Sequence, residues 1–201
     1  MTKSFVHLHA HTEYSMLDGA AKIVDYLKKV KELNQPAAAI TDHGNLYGAM
    51  EFVQKANDFG IKPIIGYEAY ITPGSRFDRP DRENNKRYHL TLLAENNIGY
   101  QNLVELVSKA YTEGYYYKPR IDYELLDQHH DGLIALSGCL GGELAQHLAP
   151  DGSVEEGNTS NERSFEKALD IAKKYQSIFG KENYFIEIHN HGIKQQLDIL
   201  D

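Results

Sequence analysis

Three histidines alternate with other residues near the start of the chain, at His7, His9 and His11. In a β-strand, residues i, i+2 and i+4 point to the same face, so a strand here would project the three imidazoles together. Imidazole is the most common metal ligand in proteins, and clustered imidazoles suit Zn, Mn or Fe. The pattern also fits a polar strand face whose histidines are hydrogen-bonded in the core. The choice between the two interpretations depends on the rest of the chain.

The remainder of the chain alternates short apolar runs with segments of helical periodicity, which is typical of an α/β fold. The apolar runs predict strands at 4–9, 37–40, 61–71, 89–94, 132–137 and 183–189. The third of these contains Pro63 and Gly66, so we expect it to be bent or split. Apolar positions three and four residues apart predict helices at 21–33, 46–59, 99–112, 122–129, 141–148 and 166–179, with another after Gly192. A turn is expected at 16–19 and a surface loop at 150–164.

Side chains that can bind metals follow most of the predicted strands. In β/α barrels the active site is built where strands end and loops begin. His89 fits less well because it begins its strand, so as a ligand it would require that strand to run against the others or to lie at an edge. The other candidates are His9 and His11 after the first strand, Asp42 and His43 after the second, Glu68 in the third, Cys139 after the fifth, and His189 and His191 after the sixth.

This mixture of imidazole, carboxylate and thiol groups suits Zn, Mn or Fe better than Ca or Mg. It offers more ligands than one tetrahedral ion requires, which indicates a cluster of ions. Such clusters activate water and hold both oxygens of an in-line displacement at phosphorus, so hydrolysis of a phosphate ester is the expected chemistry. The chain contains no G-x-G-x-x-G, Walker or G-x-S-x-G motif that would favour a different reaction.

Length, charge and composition limit the classes of protein to which the chain can belong. A length of 201 residues predicts one domain, and the net charge of −8 argues against a broad non-specific nucleic-acid surface. The single Cys139 excludes an internal disulfide, and no apolar stretch resembles a signal region or a membrane span, so we expect a cytoplasmic protein without a membrane partner. The loop at 73–87 carries five basic residues and could contact phosphates or be a solvated insertion. We expect the tyrosines at 115–117 to pack in the core, with base stacking as the alternative.

The pattern His9-x-His11-Thr12 followed by Asp18-Gly19 and Thr41-Asp42-His43 resembles the PHP (polymerase and histidinol phosphatase) superfamily. Longer blocks resemble the PHP domains of bacterial C-family replicative polymerases, the DNA polymerase III alpha subunits. These blocks span 5–20, 40–46, 60–70, 75–78, 89–94 and 136–139. The resemblance covers the chain apart from 150–164.

The resemblance implies a distorted seven-stranded β/α barrel of the TIM-like kind, with a metal cluster at one mouth and residues 1–201 forming the N-terminal part of a PHP domain. Asp42 and His7 are expected to flank the ligands. Asp18, Glu68 and His43 are the implied catalytic residues, with Glu68 bridging ions of Zn, Mn or Fe. Carried over by position, the implied metal ligands are His9, His11, Asp18, His43, Glu68, His89 and Cys139.

The implied activity is that of a 3′–5′ exonuclease that proofreads DNA during replication. The implied partners are the 3′ end of a primer–template, the remainder of the polymerase subunit, the sliding clamp and a proofreading subunit. Versions of this domain with degenerate ligands are inert modules that stabilise the polymerase, and a free-standing histidinol-phosphatase-like enzyme is the third alternative.

The chain departs from the family pattern at its end. We expect it to stop before the last strand or strands, without the closing Asp-x-His motif and without the polymerase domains. His189 and His191 are expected to be polar strand-end residues that do not substitute for the missing ligands.

Overall fold

The computed structural model describes residues 5–149 and 164–200. Helices and strands alternate along most of this length, as the apolar runs predict. A 3₁₀-helix (Glu13–Asp18) comes first, and the α-helices are α1 (Ile23–Glu32), α2 (Ala49–Phe59), α3 (Asn97–Thr112), α4 (Tyr123–Gln128), α5 (Glu143–Leu148), α6 (Phe165–Phe179) and α7 (Lys194–Leu200). The strands are β1 (Ala37–Ile40), β2 (Lys62–Ile71), β3 (Tyr88–Ala94), β4 (Arg120–Ile121), β5 (Leu133–Leu136) and β6 (Tyr184–Phe185).

The strands form one mixed sheet in the order β1-β2-β3-β5-β6, with β4 paired to β2. β2 runs parallel to its neighbours β1 and β4, and β5 runs parallel to β6. β3 runs antiparallel to both β2 and β5. The α/β class is therefore confirmed. The described residues contain six strands, whereas a complete barrel of the implied kind has seven.

The two ends of this sheet approach each other. The segment before the 3₁₀-helix lies along β1, where the amides of Ala39 and Thr41 donate to the carbonyls of His7 and Ala10 at 3.2 and 2.9 Å. The chain leaving β6 returns to this segment, because His9 Nδ1 lies 2.8 Å from Glu187 Oε1. This contact joins the two outer segments of the sheet, and we call the end of the sheet where they meet the mouth.

Strand periodicity separates the core from the mouth. In β2 and β3, alternate residues such as Tyr67, Ile71, Leu90 and Leu92 pack outward into the main hydrophobic cluster with helices α3, α4 and α6. The residues between them point to the other face, which carries Glu68. A second cluster joins α1 and α2 to β1, so each helical layer covers the outer face of the sheet.

β2 is one continuous strand of ten residues, so it is not split at Pro63 or Gly66. The strand pairs with β1 up to Ile65 and with β3 from Gly66 onward. A Cβ on Gly66 would lie 2.3 Å from the carbonyl oxygen of Leu92. Glycine here therefore allows β3 to approach closely, and it does not break the strand.

Several other local predictions need correction. Residues 5–9 are extended beside β1 but form no regular strand, and Ser4 lies outside the described residues. The expected turn at 16–19 falls mostly in the 3₁₀-helix, and the predicted strand at 183–189 is regular only at Tyr184–Phe185. The two-residue β4 was missed, and of the predicted loop only Ser164 lies within the described residues, where it caps α6.

Two further features concern the surface. Tyr115 and Tyr117 are 54% and 64% exposed, so the expectation that 115–117 pack in the core is wrong for these two. Among the described helices, none combines the length and the apolar character that crossing a membrane requires.

Candidate metal centre

Glu68 is the centre of the site. Its side chain is 0% exposed, and four imidazoles approach its two carboxylate oxygens. His9 Nε2 and His89 Nδ1 each lie 3.2 Å from Oε1, while His43 Nδ1 and His11 Nε2 lie 2.5 and 3.6 Å from Oε2. The thiol of Cys139 lies 3.7 Å from Oε1. Five of the other six implied ligands thus surround this single buried carboxylate.

His43 reaches Glu68 because the chain continues beside β2 after β1 ends. The amide of Glu68 donates to the carbonyl of Asp42 at 3.0 Å, and the amide of Gly44 donates back to the carbonyl of Glu68 at 2.8 Å. This parallel bridge fixes His43 next to Glu68. Because the bridge is made by the backbone, it holds the imidazole in place independently of any ion.

His89 and Cys139 are brought in by the reversed direction of β3. Since β3 is antiparallel, its first residues lie at the same edge as the ends of β1 and β5. As a ligand at the start of its strand, His89 was expected to require a strand that runs against the others, and β3 does so. The loop after β5 folds onto this strand start, where the amide of His89 donates to the carbonyl of Gly141 at 2.8 Å. Gly138 has a φ of +83°, which permits the tight reversal that places Cys139 Sγ 3.8 Å from His89 Nδ1.

Asp18 joins the group through His43. Its Oδ2 lies 2.6 Å from His43 Nε2, and its side chain is 78% exposed at the rim. A carboxylate on the second ring nitrogen of a metal-binding histidine holds the ring and its tautomer. Of the predicted ligands, Asp18 has the most exposed side chain.

Asp42 supports the loop that carries the first histidines. It is 1% exposed, and its carboxylate accepts from the amide and hydroxyl of Thr12 at 2.6 and 2.8 Å and from the hydroxyl of Ser15 at 2.6 Å. The Ser15 hydroxyl in turn accepts from the amide of His43. These contacts fit the flanking role expected of Asp42. His7, also expected to flank the ligands, is exposed and stacks edge-on against Phe5, outside the group.

Glu187 is a residue that sequence reasoning missed. Its Oε1 lies 2.8 Å from His9 Nδ1 and 2.7 Å from His189 Nε2, and its amide donates to the Ser137 hydroxyl at 2.9 Å. His189 was expected to be a simple polar strand end, but the structure places it at the edge of the cluster. His191 turns away and contacts Gln196. The alternation of Glu187, His189 and His191 was the available signal.

The electrostatics of the group follow from burial and from the contacts between its carboxylates and imidazoles. Burial alone would raise the pKa of Glu68, but the charge of His89 and hydrogen bonds from His43, His89 and His9 hold it well below its usual range. Burial lowers the pKa of His11 to about 4, so this imidazole is neutral at physiological pH. Burial opposes the charged form of His9 too, but hydrogen bonds and charges from Glu187 and Glu68 raise its pKa to about 10.

The donor set fits a divalent cation. His11 Nδ1 and Glu187 Oε2 are buried and make no hydrogen bond within the described residues. Such groups cost about 1–3 kcal/mol each when they stay unsatisfied, and an ion within reach would satisfy them. Three trios bring their donor atoms within 4.8 Å of one another, and Glu68 belongs to two of them. These trios are His9–His11–Glu68, His43–Glu68–His89 and His9–Glu187–His189.

Comparison with curated proteins finds replicative polymerases. The chain is 52% identical over 200 residues to DNA polymerase III subunit alpha of Thermus aquaticus and 50% identical over 202 residues to that of Deinococcus radiodurans. It is 48% identical over 194 residues to the same subunit of Treponema pallidum. Each match covers 96% of this chain but only 14–16% of the relative. The chain therefore spans about one-seventh of the length of these relatives.

Comparison with solved structures concerns the fold alone. A Bifidobacterium adolescentis protein, assigned as a metal-dependent phosphoesterase, superimposes with a TM-score of 0.55 at 12% identity, over 98% of this chain and 82% of that one. The profile of the PHP domain matches residues 7–191, which include every candidate ligand described above. The chain therefore belongs to the PHP domain family.

Proposed function

We propose that this chain is a metal-dependent phosphoesterase that removes nucleotides from the 3′ end of DNA, as the PHP part of a DNA polymerase III alpha subunit in the bacterial cytoplasm. The observation that carries this proposal is the buried Glu68 with four imidazoles and a thiol around it. The identity of 52% to a polymerase subunit supports DNA as the substrate.

The proposed ligands are the seven residues inferred from the sequence. Divalent ions held there, Zn, Mn or Fe, would activate water and offset the charge that develops on phosphate oxygens. Glu68 presents both of its oxygens to different imidazoles and so can bridge two ions. Glu187 and His189 lie beside His9 as further donors. The proposed ligands themselves are His9, His11, Asp18, His43, Glu68, His89 and Cys139.

Asp18, Glu68 and His43 have different parts in this mechanism. Glu68 is buried and its pKa is held well below the usual range, so it would hold cations as a carboxylate. His43 bridges the buried and exposed parts of the site, because its Nδ1 faces Glu68 and its Nε2 faces Asp18. Asp18 Oδ2, at the rim, orients this ring and is placed to accept a proton from an attacking water.

Two alternative functions predict different properties for the same residues. An inert module that stabilises the polymerase and docks a proofreading subunit would keep the fold and need no bound ion. A histidinol-phosphatase-like enzyme would bind ions but would act on small phosphate monoesters. The remainder of the polymerase subunit, the sliding clamp and a proofreading subunit are proposed partners, as the polymerase relatives indicate.

The test compares the full 201-residue chain with Glu68→Gln, which keeps the shape of the side chain and removes its charge. Glu32→Gln, an exposed residue of α1, is the matched control. We expect the wild type and the control to retain Mn or Zn through dialysis and to trim a primer with a mismatched 3′ end. Glu68→Gln should do neither, while circular dichroism reports an unchanged fold.

Each alternative has its own signature in this experiment. A wild-type chain without bound ion and without trimming, whatever the ion added, would support the inert module. Bound ion with hydrolysis of a small monoester but not of DNA would support the small-molecule phosphatase. Trimming by Glu68→Gln at the wild-type rate would show that the metal centre takes no part in the reaction.

A further inference from the structure

A tyrosine-rich cleft opens beside the candidate metal centre. It encloses about 440 Å³, and Asp18 and His43 are among its lining residues. Six tyrosines also line it, and four of them are exposed: Tyr47, Tyr111, Tyr115 and Tyr117. The cleft and the metal centre therefore share two residues, and a molecule lying in the cleft would reach the ions.

The rings of this cleft are presented to solvent. Tyr47 and Tyr117 are each 64% exposed, and Tyr115 is 54% exposed. The Tyr111 and Tyr115 rings lie 6.1 Å apart at 26°, and the Tyr47 ring lies 6.5 Å from Tyr111. Nucleic acid bases stack on exposed aromatic rings, and these rings lie next to a site suited to phosphate chemistry.

Backbone strain is concentrated in the same cleft. Three residues other than glycine have positive φ in the part of the chain that the structure describes, and two of them, Met16 at 59° and Tyr117 at 61°, line it. The third is Asn34, a residue type that adopts this conformation readily. Strain of this kind persists where the surrounding structure enforces it, and it occurs often at ligand sites.

Tyr117 also lines a second, basic pocket. It encloses about 320 Å³ and is lined by Tyr117 together with Arg82, Asn85 and Arg87. Arg82, Asn85 and Arg87 belong to the loop at 73–87. In the same loop, Arg76 is buried and pairs with Asp122 and Glu113 at 3.0 and 2.7 Å, so it stabilises the fold. Arg82 and Arg87 bring two positive charges to the lining of the pocket.

We propose that the metal centre, the tyrosine cleft and the basic pocket form one track for the 3′ end of single-stranded DNA. The terminal base stacks on the tyrosines while its phosphate faces the metal centre, and a phosphate further along the strand contacts Arg82 and Arg87. Tyr117, which lines both pockets, connects the two parts of the track. This inference rests on the proposed function, since it names how the same site selects an unpaired end.

Stacking can be measured without hydrolysis. The probe is a single-stranded oligonucleotide with 2-aminopurine at its 3′ end, titrated with the full chain in EDTA. Stacking on tyrosine quenches the fluorescence of this base, so we expect quenching at the terminal position and much less when the 2-aminopurine is internal. Quenching that is equal at both positions would overturn the assignment of the cleft to the terminal base.

The variants separate ring stacking from general binding. Tyr47→Ala with Tyr115→Ala should abolish the quenching and weaken binding by about tenfold or more. The corresponding phenylalanine variants should restore both, since stacking requires the ring and not the hydroxyl. Tyr100→Ala, an exposed tyrosine of α3 outside the cleft, is the matched control. Unchanged quenching and affinity in the double alanine variant would overturn the proposal.

The basic pocket is tested by salt dependence. Removing one phosphate contact with Arg82→Gln should reduce the slope of log affinity against log salt by about 0.7 for a single strand, with the terminal quenching retained. An unchanged slope would show that the basic pocket does not contact the DNA strand.

Hydrolysis is measured separately with Mn²⁺ added. Stacking without hydrolysis would leave the track standing and contradict the proposed activity, whereas hydrolysis without stacking would contradict the track alone.

Discussion

Asp18 and Glu68 show how two carboxylates in one site acquire different properties. Glu68 is enclosed by imidazoles that hold its pKa well below its usual range, although burial acts in the opposite direction. Asp18 sits 78% exposed at the rim and contacts the group through one imidazole nitrogen of His43. A buried, ionised carboxylate is suited to holding cations, and an exposed one is free to exchange protons with water.

We predict that Asp18→Asn reduces trimming of a 3′ end by at least about a hundredfold, because the variant loses the carboxylate that orients His43 and accepts a proton. Since the side chain is exposed, the unfolding free energy should change by less than about 0.5 kcal/mol. The measurements are single-turnover hydrolysis and denaturant unfolding. Asp25→Asn, an exposed residue of α1, serves as the control. Wild-type hydrolysis by the Asp18 variant would exclude Asp18 from the reaction.

Three helices behind the sheet meet at one buried carboxyl group. Glu143 of α5 is 6% exposed and accepts a short hydrogen bond from the Tyr123 hydroxyl of α4. Its Oε2 also accepts from the Tyr175 hydroxyl of α6 at 2.8 Å. Burial raises the pKa of Glu143, and the two tyrosine hydroxyls lower it only in part. The packing of these helices is therefore linked to the protonation of this one group.

This linkage predicts a pH dependence with a definite sign. Between the usual glutamate pKa of 4.5 and the raised folded value, the folded protein holds a proton that the unfolded chain has lost. The contribution of Glu143 to stability therefore falls as pH rises through this window and does not recover above it. Glu143→Gln stays uncharged, so it should gain stability relative to the wild type by up to about 1.4 kcal/mol for each pH unit crossed in the window.

Denaturant unfolding at a series of pH values from 4 to 8 measures this difference. Glu105→Gln, an exposed residue of α3, should show no such trend relative to the wild type. A constant difference between Glu143→Gln and the wild type across the series would mean that the carboxyl has the same pKa in the folded and unfolded protein.

The topology of the whole sheet collects the donors at one mouth. The ends of β1 and β5 and the start of the antiparallel β3 lie at the same edge, and the contact between His9 and Glu187 joins the two outer segments there. The donors come from residues 9 to 189 of the chain. An ion at this mouth would therefore hold together segments that are far apart in sequence.

We accordingly predict that metal binding stabilises the entire chain. With Mn²⁺ at a hundred times its dissociation constant, the unfolding free energy should rise by about 2.7 kcal/mol. EDTA should reverse the effect, and Glu68→Gln should show none of it, whereas Glu32→Gln should behave as the wild type does. Chemical denaturation with and without Mn²⁺ provides the measurement. Equal stability under the two conditions in the wild type would indicate that the folded chain holds no ion.

Much of this site could be predicted from local sequence. His9, His11, His43 and Glu68 follow or lie within apolar runs of strand length, and the structure places all four in the group. Glu187 was missed although it alternates with His189 and His191, because its place in the site depends on a contact with His9 at the other end of the chain. The exposure of Tyr115 and Tyr117 was also missed, since an aromatic run looks the same in sequence whether it is covered by helices or open to a cleft.

The sequence alone determined the α/β class, the helices and the identity of most donors, because periodicity and side-chain chemistry are local properties. The tertiary structure decided the direction of β3, which brings His89 to the mouth, and the approach of the sheet ends, which brings Glu187 to His9. It also decided that Glu68, alone among the carboxylates of 5–149 and 164–200, lies between four imidazoles. These features depend on pairing between strands distant along the chain, and each strand's own residues are compatible with more than one partner and direction.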